Sequence, residues 1–104
     1  ACFNDSLISL SCSWNAITEL DLSNKPNLEF VFCEDNTLSV LELSNVPELV
    51  QVWCTGNQIS ELDMLNKPNL EQLMAGDNLL TSLDLSSCGS LIWIWLYSNQ
   101  LFEL

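Results

Sequence analysis

The sequence predicts a solenoid, a coiled chain in which short repeats stack on one another and share one continuous core. One asparagine recurs every 21 residues, at Asn15, Asn36, Asn57, Asn78 and Asn99. Apolar residues keep the same phase in five further columns, which begin at Leu7, Leu10, Ile17, Leu20 and Leu22. Self-similarity at one fixed period is typical of a repeat architecture. We therefore expect residues 1–104 to form a single domain of about five 21-residue coils, without terminal caps.

Residues 7–12 of the first coil alternate as a short strand with one buried face does. In this interpretation Leu10 and Cys12 point inward, whereas Ser9 and Ser11 point outward. Because the same stretch recurs in every coil, stacking pairs these strands into a parallel sheet.

The asparagine column follows each strand, at the point where the chain turns inward. A buried asparagine there can bond backbone groups of its own coil and of its neighbour, so we expect an Asn ladder along the solenoid. Residues 18–22 alternate again and predict a second short strand on the opposite, convex side. Residues 23–27, Ser-Asn-Lys-Pro-Asn, then turn the chain back. Little helix is expected.

Residues 28–38 follow the pattern L-x-x-L-x-C-x-x-N-x-L, with Val31 at the second leucine position. This pattern resembles the leucine-rich repeat. The 21-residue period, with Cys12, Cys33 and Cys54 in the sixth column, is similar to the cysteine-ladder subtype of internalin-like bacterial surface proteins. The resemblance implies a right-handed coil with short parallel strands on a concave face and mostly turns or short strands on the convex face. It also implies protein binding without a common active site, in a secreted or cell-surface protein.

The composition excludes several classes of function. Two lysines oppose 14 acidic residues, for a net charge of −12, and arginine and histidine are absent. Catalysis therefore has no His base and no Arg clamp, and phosphate backbones have too few cations to bind. No segment approaches the roughly 18 apolar residues of a membrane span. We expect no enzyme, no cofactor, no nucleic-acid partner and no membrane insertion.

The five cysteines do not suggest a metal site, because C-x-x-C spacing and histidine are both lacking. The column of Cys12, Cys33 and Cys54 continues as Ala75 and Leu96, which predicts free, buried thiols in a small apolar position. Cys2 and Cys88 lie outside this column and too many coils apart to pair within one chain. They are therefore expected to be free or intermolecular.

One outward column of the convex side is acidic: Asp21, Glu42, Asp63 and Asp84. Carboxylates about 5 Å apart on neighbouring coils should repel one another and raise their pKa values. The column is interpreted as a solvated stripe. A weak divalent-cation site, a pH-sensitive face and a glycosidase carboxylate pair are the alternatives.

The outward strand positions carry a stripe of large apolar side chains that core packing does not require. We expect this concave aromatic stripe to bind a partner, since exposed apolar patches mark interaction sites. A protein interface is the first interpretation, and sugar stacking or scaffolding without a partner are the alternatives. The candidate binding residues are Trp14, Phe30, Phe32, Trp53, Met74, Trp93, Trp95 and Tyr97.

The two ends suggest self-assembly. The chain opens without an initiator Met, either as a mature protein or as a piece of a longer one. Neither end has a polar cap, and a second copy placed head to tail would continue the 21-residue spiral, so we expect an extracellular filament. A fragment of a secreted or surface adhesin that binds a protein or glycan is the alternative. The candidate assembly residues, among which Cys2 and Cys88 of successive copies approach disulfide range, are Ala1, Cys2, Phe3, Cys88, Phe102 and Leu104.

Overall fold

The computed structural model describes residues 7–101, and strands are the only regular elements in that range. Five strands, one from each coil, form a fully parallel sheet in the order β1-β3-β5-β6-β7. A smaller parallel sheet on the opposite side pairs β2 with β4. The strands are β1 (Ser9–Ser11), β2 (Glu19–Asp21), β3 (Phe30–Phe32), β4 (Val40–Glu42), β5 (Gln51–Trp53), β6 (Gln72–Met74) and β7 (Trp93–Trp95).

Every strand pairs with its neighbour at an offset of 21 residues, so the sequence period is also the register of the sheet. Leu10 pairs with Val31, Val31 with Val52, Val52 with Leu73, and Leu73 with Ile94. This arrangement is the predicted leucine-rich-repeat solenoid, with parallel strands and no helix in the described range. It also follows that no helix in residues 7–101 is long and apolar enough to cross a membrane.

The core is formed by the apolar columns, which stack in the interior. Val31, Val52 and Leu73 are fully buried, as are the residues that follow each strand by one position, Cys33, Cys54 and Ala75. The outward neighbours in each strand are half-buried or exposed. The alternation predicted for residues 7–12 is therefore confirmed in the central coils.

Two turns of the repeat use left-handed backbone, one in all five coils and the other in the first three. The residue before the Asn column has a positive φ in all five coils: Trp14, Asp35, Gly56, Asp77 and Ser98. A second left-handed position is filled by Asn24, Asn45 and Asn66. Asn, Asp and Gly tolerate this conformation best, so the turn residues match the backbone except at Trp14 and Ser98.

The convex side differs from the prediction. A second strand was expected in every coil, but only the first two coils have one, and residues 61–63 and 82–84 lack regular strand structure. The residue type in this column does not explain the difference, because Glu19 begins β2 whereas Glu61, in the same column, lies outside any strand. In these later coils the convex segment still turns residues toward the core, but it does not continue the hydrogen-bonded sheet of β2 and β4.

Candidate functional site

The five-stranded sheet turns a band of large side chains away from the core. We call it the aromatic face, and it consists of Phe30, Phe32, Trp53, Met74, Trp93, Trp95 and Tyr97. The first four of these side chains are half-buried and the last three are exposed. Because the inward columns already fill the core, the sheet places these side chains outward without any requirement from internal packing.

One cluster of the aromatic face lies on the second and third coils. The rings of Phe30 and Phe32 stack with centroids 6.5 Å apart, and Phe32 meets Trp53 edge to face at 5.0 Å. The Trp53 indole Nε1 donates to Gln72 Oε1 at 3.2 Å, which ties the ring to the next coil. These contacts hold the rings in fixed orientations and half-bury them against one another.

A second cluster lies on the fifth coil. Trp93 and Trp95 have ring centroids 6.3 Å apart, and Trp95 meets Tyr97 edge to face at 6.4 Å. The exposed fractions of the three side chains are between 46% and 52%. Rings of this size that remain half open to solvent offer apolar area and polar donors to a partner.

Gly76 supports the second cluster, and the repeat pattern did not predict its role. A Cβ atom on Gly76 would lie 2.7 Å from two atoms of the Tyr97 ring, so the ring rests directly on this glycine. The signal was present in the sequence, because Gly76 occupies the same column as Tyr97 one coil earlier.

Trp14 lies apart from both clusters. It is 80% exposed with φ 62°, and within residues 7–101 it makes no contact with another ring. Met74 bridges the two clusters, since it pairs with Trp53 on one side and with Trp95 on the other. The structure thus assembles seven of the eight predicted binding residues into one band.

Acidic side chains flank the aromatic face at both ends of its strands. Glu29 and Glu71 immediately precede β3 and β6, whereas Glu34, Asp35 and Asp77 follow the strands. Glu34 is held by the Ser13 hydroxyl, whose Oγ donates to Oε1 at 2.9 Å. The face is therefore apolar along its middle and negative along its edges.

Four of the five asparagines in this column bond successive coils together through their side chains. Asn57 is representative: its Nδ2 donates to the Cys33 and Cys54 carbonyls, and its Oδ1 accepts from Leu38 N at 3.0 Å. Asn36, Asn78 and Asn99 repeat this pattern in their own coils. Asn15, in the first coil, is exposed, and among residues 7–101 its side chain bonds only within its own turn, through Nδ2.

The thiols of Cys12, Cys33, Cys54 and Cys88 are free. Burial raises the pKa of Cys33 strongly and that of Cys54 to about 12, so both are protonated at neutral pH. Desolvation also raises the pKa of the half-buried Cys12. Among residues 7–101, no group of histidine, cysteine or carboxylate side chains is arranged to hold a metal ion.

Cys88 does not present its thiol at an open surface. It is 6% exposed, and its Sγ lies 3.5 Å from the Met64 carbonyl oxygen. This burial weighs further against a disulfide to Cys2 of another copy, which the column spacing alone did not favour. The other predicted assembly residues, Ala1, Cys2, Phe3, Phe102 and Leu104, lie outside the described residues.

Two carboxyl pKa values in the convex acidic column differ from the expectation. We expected mutual repulsion to raise the carboxyl pKa values, but those of Asp21 and Asp84 are lowered. The physical cause is local. Asp21 accepts from the Ser23 hydroxyl at 2.6 Å and from its backbone N at 3.0 Å. Asp84 is held by the Ser86 side chain and by Ser86 N, which donates at 3.0 Å. These aspartates close the turn that follows them, which is a structural role.

Comparison with known proteins agrees with this geometry. A scan of protein-family models gives no match, and neither does a search of curated protein sequences. Among solved structures, the chain matches the functional domain of InlJ from Listeria monocytogenes, described as including a cysteine ladder. The TM-score is 0.91 at 29% sequence identity over 97% of this chain, which spans 23% of the length of the other. The chain thus has a leucine-rich-repeat solenoid fold that is similar to the cysteine-ladder domain of InlJ.

Proposed function

We propose that this chain is a non-enzymatic module that binds a protein partner through its aromatic face, as part of a secreted or cell-surface bacterial protein. The observation that carries the proposal is the exposure of Trp93, Trp95 and Tyr97 on a sheet whose interior is already filled. Interfaces are enriched in Trp, Tyr, Phe and Met, and such residues dominate binding energy. The internalin-like neighbour supports the surface location.

Selection from a displayed library of random peptides tests this proposal. The wild-type chain and a double variant, Trp53→Ala with Trp95→Ala, serve as parallel targets. We expect the wild type to enrich peptides whose affinity falls by about tenfold or more on the double variant, as loss of central aromatic anchors does. Val40→Ala, on the exposed convex strand β4, is the matched apolar control and should bind normally. Equal enrichment on all three targets, or none, would overturn the proposal.

A second candidate, end-to-end assembly into an extracellular filament, has its own observation. Ile94 is 42% exposed, whereas Val31, Val52 and Leu73 in the same inward column are fully buried. A further coil, from another copy or from a longer chain, would cover this surface. Apolar core residues left open at a solenoid end favour stacking.

Negative-stain electron microscopy with light scattering tests assembly. A filament should repeat near 25 Å, for five coils at about 5 Å each. Ile94→Asp should abolish it because a charge would enter the stacked core, and a charge at Phe102 or Leu104, two of the predicted assembly residues, is expected to have the same effect. Uniform small particles at micromolar concentration would contradict assembly and leave the aromatic face as the binding surface.

A further inference from the structure

The charge around the aromatic face has one sign. Glu29, Glu34, Asp35, Glu71 and Asp77 flank its strands, and all five are half-buried or exposed. Glu34 continues the outward alternation of Phe30 and Phe32, in the column that holds Tyr97 in the fifth coil. The carboxylates are therefore within reach of a partner that lies on the rings.

Neither lysine neutralises these carboxylates. Lys67 is 1% exposed, and its Nζ donates to the carbonyl oxygens of Leu43, at 2.8 Å, and Leu65, at 3.1 Å. The Nζ of Lys25 donates to Ser23 O at 3.3 Å, in the turn that follows β2. Both ammonium groups are engaged in the turns that follow the convex segments, so a partner that brings its own cations would meet an aromatic face whose carboxylates no lysine of this chain pairs with.

The combination of aromatic rings and flanking carboxylates favours a guanidinium group as the part of the partner that binds here. A guanidinium group stacks on the faces of Trp, Tyr and Phe and at the same time donates bidentate hydrogen bonds to a carboxylate. The ammonium group of lysine can pair with a carboxylate, but it is not planar and does not stack on an aromatic ring as a guanidinium group does. Neutral sugars would stack on the rings and donate hydroxyl hydrogen bonds to the carboxylates, but they would leave the negative charge of the edges unbalanced.

We propose that the aromatic face binds a protein segment rich in arginine, with guanidinium groups stacked on the ring clusters and paired with the flanking carboxylates. The inference rests on the proposed protein-binding function and specifies its partner. Charge complementarity carries it, because a segment without cations would leave five carboxylates unpaired at the edges of the interface.

The test uses the peptides that the displayed library enriches on the wild-type chain and loses on the Trp53→Ala/Trp95→Ala variant. We expect arginine to be enriched among them above its frequency in the unselected library. In the tightest of these peptides, replacing arginine with citrulline, its uncharged isostere, should weaken binding by about tenfold, because charge-assisted hydrogen bonds are lost.

Two variants of equal net charge separate local pairing from attraction to an acidic protein. Glu71→Gln with Asp77→Asn removes two charges beside the aromatic face, and Glu19→Gln with Glu61→Gln removes two exposed charges from the convex side. The Glu71→Gln/Asp77→Asn variant should bind the tightest peptide with about fivefold lower affinity. The second pair should change its affinity by less than about twofold, because salt screens charges beyond about 10 Å.

The results that would contradict the arginine proposal differ from those that would contradict protein binding through the aromatic face. If the enriched peptides depend on Trp53 and Trp95 but carry no excess of arginine, the arginine proposal is wrong and the protein-binding function stands. The arginine proposal also fails, again without the protein-binding function, if the two charge variants weaken binding equally. If no enriched peptide depends on the two tryptophans, both proposals fail together.

Discussion

At the scale of single residues, the asparagine ladder connects the sequence period to stability. Asn57 satisfies two carbonyl oxygens and one amide that the solenoid buries, and these groups have no access to water. Backbone polar groups buried without partners cost about 1–3 kcal/mol each. A side chain that bonds groups of two coils therefore stabilises the stack more than its own burial suggests.

We expect Asn57→Ala to lower the free energy of unfolding by about 3 kcal/mol, since the bonds to Cys33, Cys54 and Leu38 are lost together. Urea denaturation followed by circular dichroism measures the change. Asn15→Ala is the matched control, because the Asn15 side chain is exposed and, among the described residues, bonds only within its own turn. Equal losses in the two variants would show that the ladder does not couple the coils.

The buried thiols make a prediction about alkaline pH. A thiol whose pKa is raised on folding stabilises the native state below its unfolded pKa, near 9.0, and this stability is lost as pH rises toward its folded pKa, which is about 12 for Cys54. Between these values each thiol should reduce the free energy of unfolding by about 1.4 kcal/mol per pH unit.

Urea denaturation at pH 7, 9 and 10.5 measures this slope. Replacing both Cys33 and Cys54 with alanine, the residue that fills their column at Ala75, should flatten it markedly. Contributions from all other groups are common to both proteins and cancel in the comparison. An unchanged slope would mean that the two thiols do not carry the alkaline sensitivity.

At the scale of elements, the strands of the central coils have two functions. The central residue of β3, β5 and β6 packs into the core, and at least one flanking residue of each strand belongs to the aromatic face. The loop that follows a strand also positions side chains at the edge of that face. Gly76 lets the Tyr97 ring rest on the backbone of the neighbouring coil, which lines the ring up with Trp95.

We expect Gly76→Ala to displace the Tyr97 ring, because the new Cβ would lie 2.7 Å from it. The ring is at the end of a flexible side chain, so the free energy of unfolding should fall by only about 1 kcal/mol. Near-ultraviolet circular dichroism should change, since the contact between Trp95 and Tyr97 is broken. Gly89→Ala is the control, because a Cβ there has nothing within 4 Å. An unaltered aromatic spectrum in Gly76→Ala would contradict this account of the second cluster.

The convex turns depend on a different local device. Asp21 and Asp84 accept hydrogen bonds from the residues two positions later, and Asp63 accepts from Leu65 N at 3.0 Å in the same way. Because these bonds lower the pKa values of Asp21 and Asp84, the stability they contribute is present above the unfolded carboxyl pKa and is lost as pH falls through the folded one.

At the scale of the whole molecule, the net charge of −12 opposes association between copies. If the chain assembles end to end, the assembly should strengthen as salt screens this repulsion. Light scattering between 20 mM and 500 mM salt, concentrations chosen to shorten the Debye length from roughly 20 Å to below 5 Å, measures the effect. Assembly that weakens steadily with salt would contradict the filament proposal. Salt is a cleaner variable than acid, since acid also breaks the turn bonds of Asp21 and Asp84.

Salt acts on the aromatic face in the opposite direction. Binding of an arginine-rich peptide should weaken as salt rises, because its charge contacts are exposed and therefore screened. The two proposals thus differ in the sign of one measurement on the same protein.

The sequence alone determined the fold, because a 21-residue period repeated five times leaves one way to stack the apolar columns and the asparagines. Strand alternation also predicted which side chains would face outward, since side chains in a strand alternate strictly between two faces. The band from Phe30 to Tyr97 could therefore be identified from the repeat pattern.

Only the tertiary structure decided how those side chains meet. It divided the band into two ring clusters, placed Tyr97 on Gly76, left Trp14 isolated, buried Cys88 and Lys67, and limited the convex sheet to two strands. These features depend on the distances between side chains of neighbouring coils, and the repeat pattern in the sequence does not specify those distances. The lowered pKa values of Asp21 and Asp84 have the same origin, because hydrogen bonds within a turn prevailed over the repulsion that column spacing alone predicts.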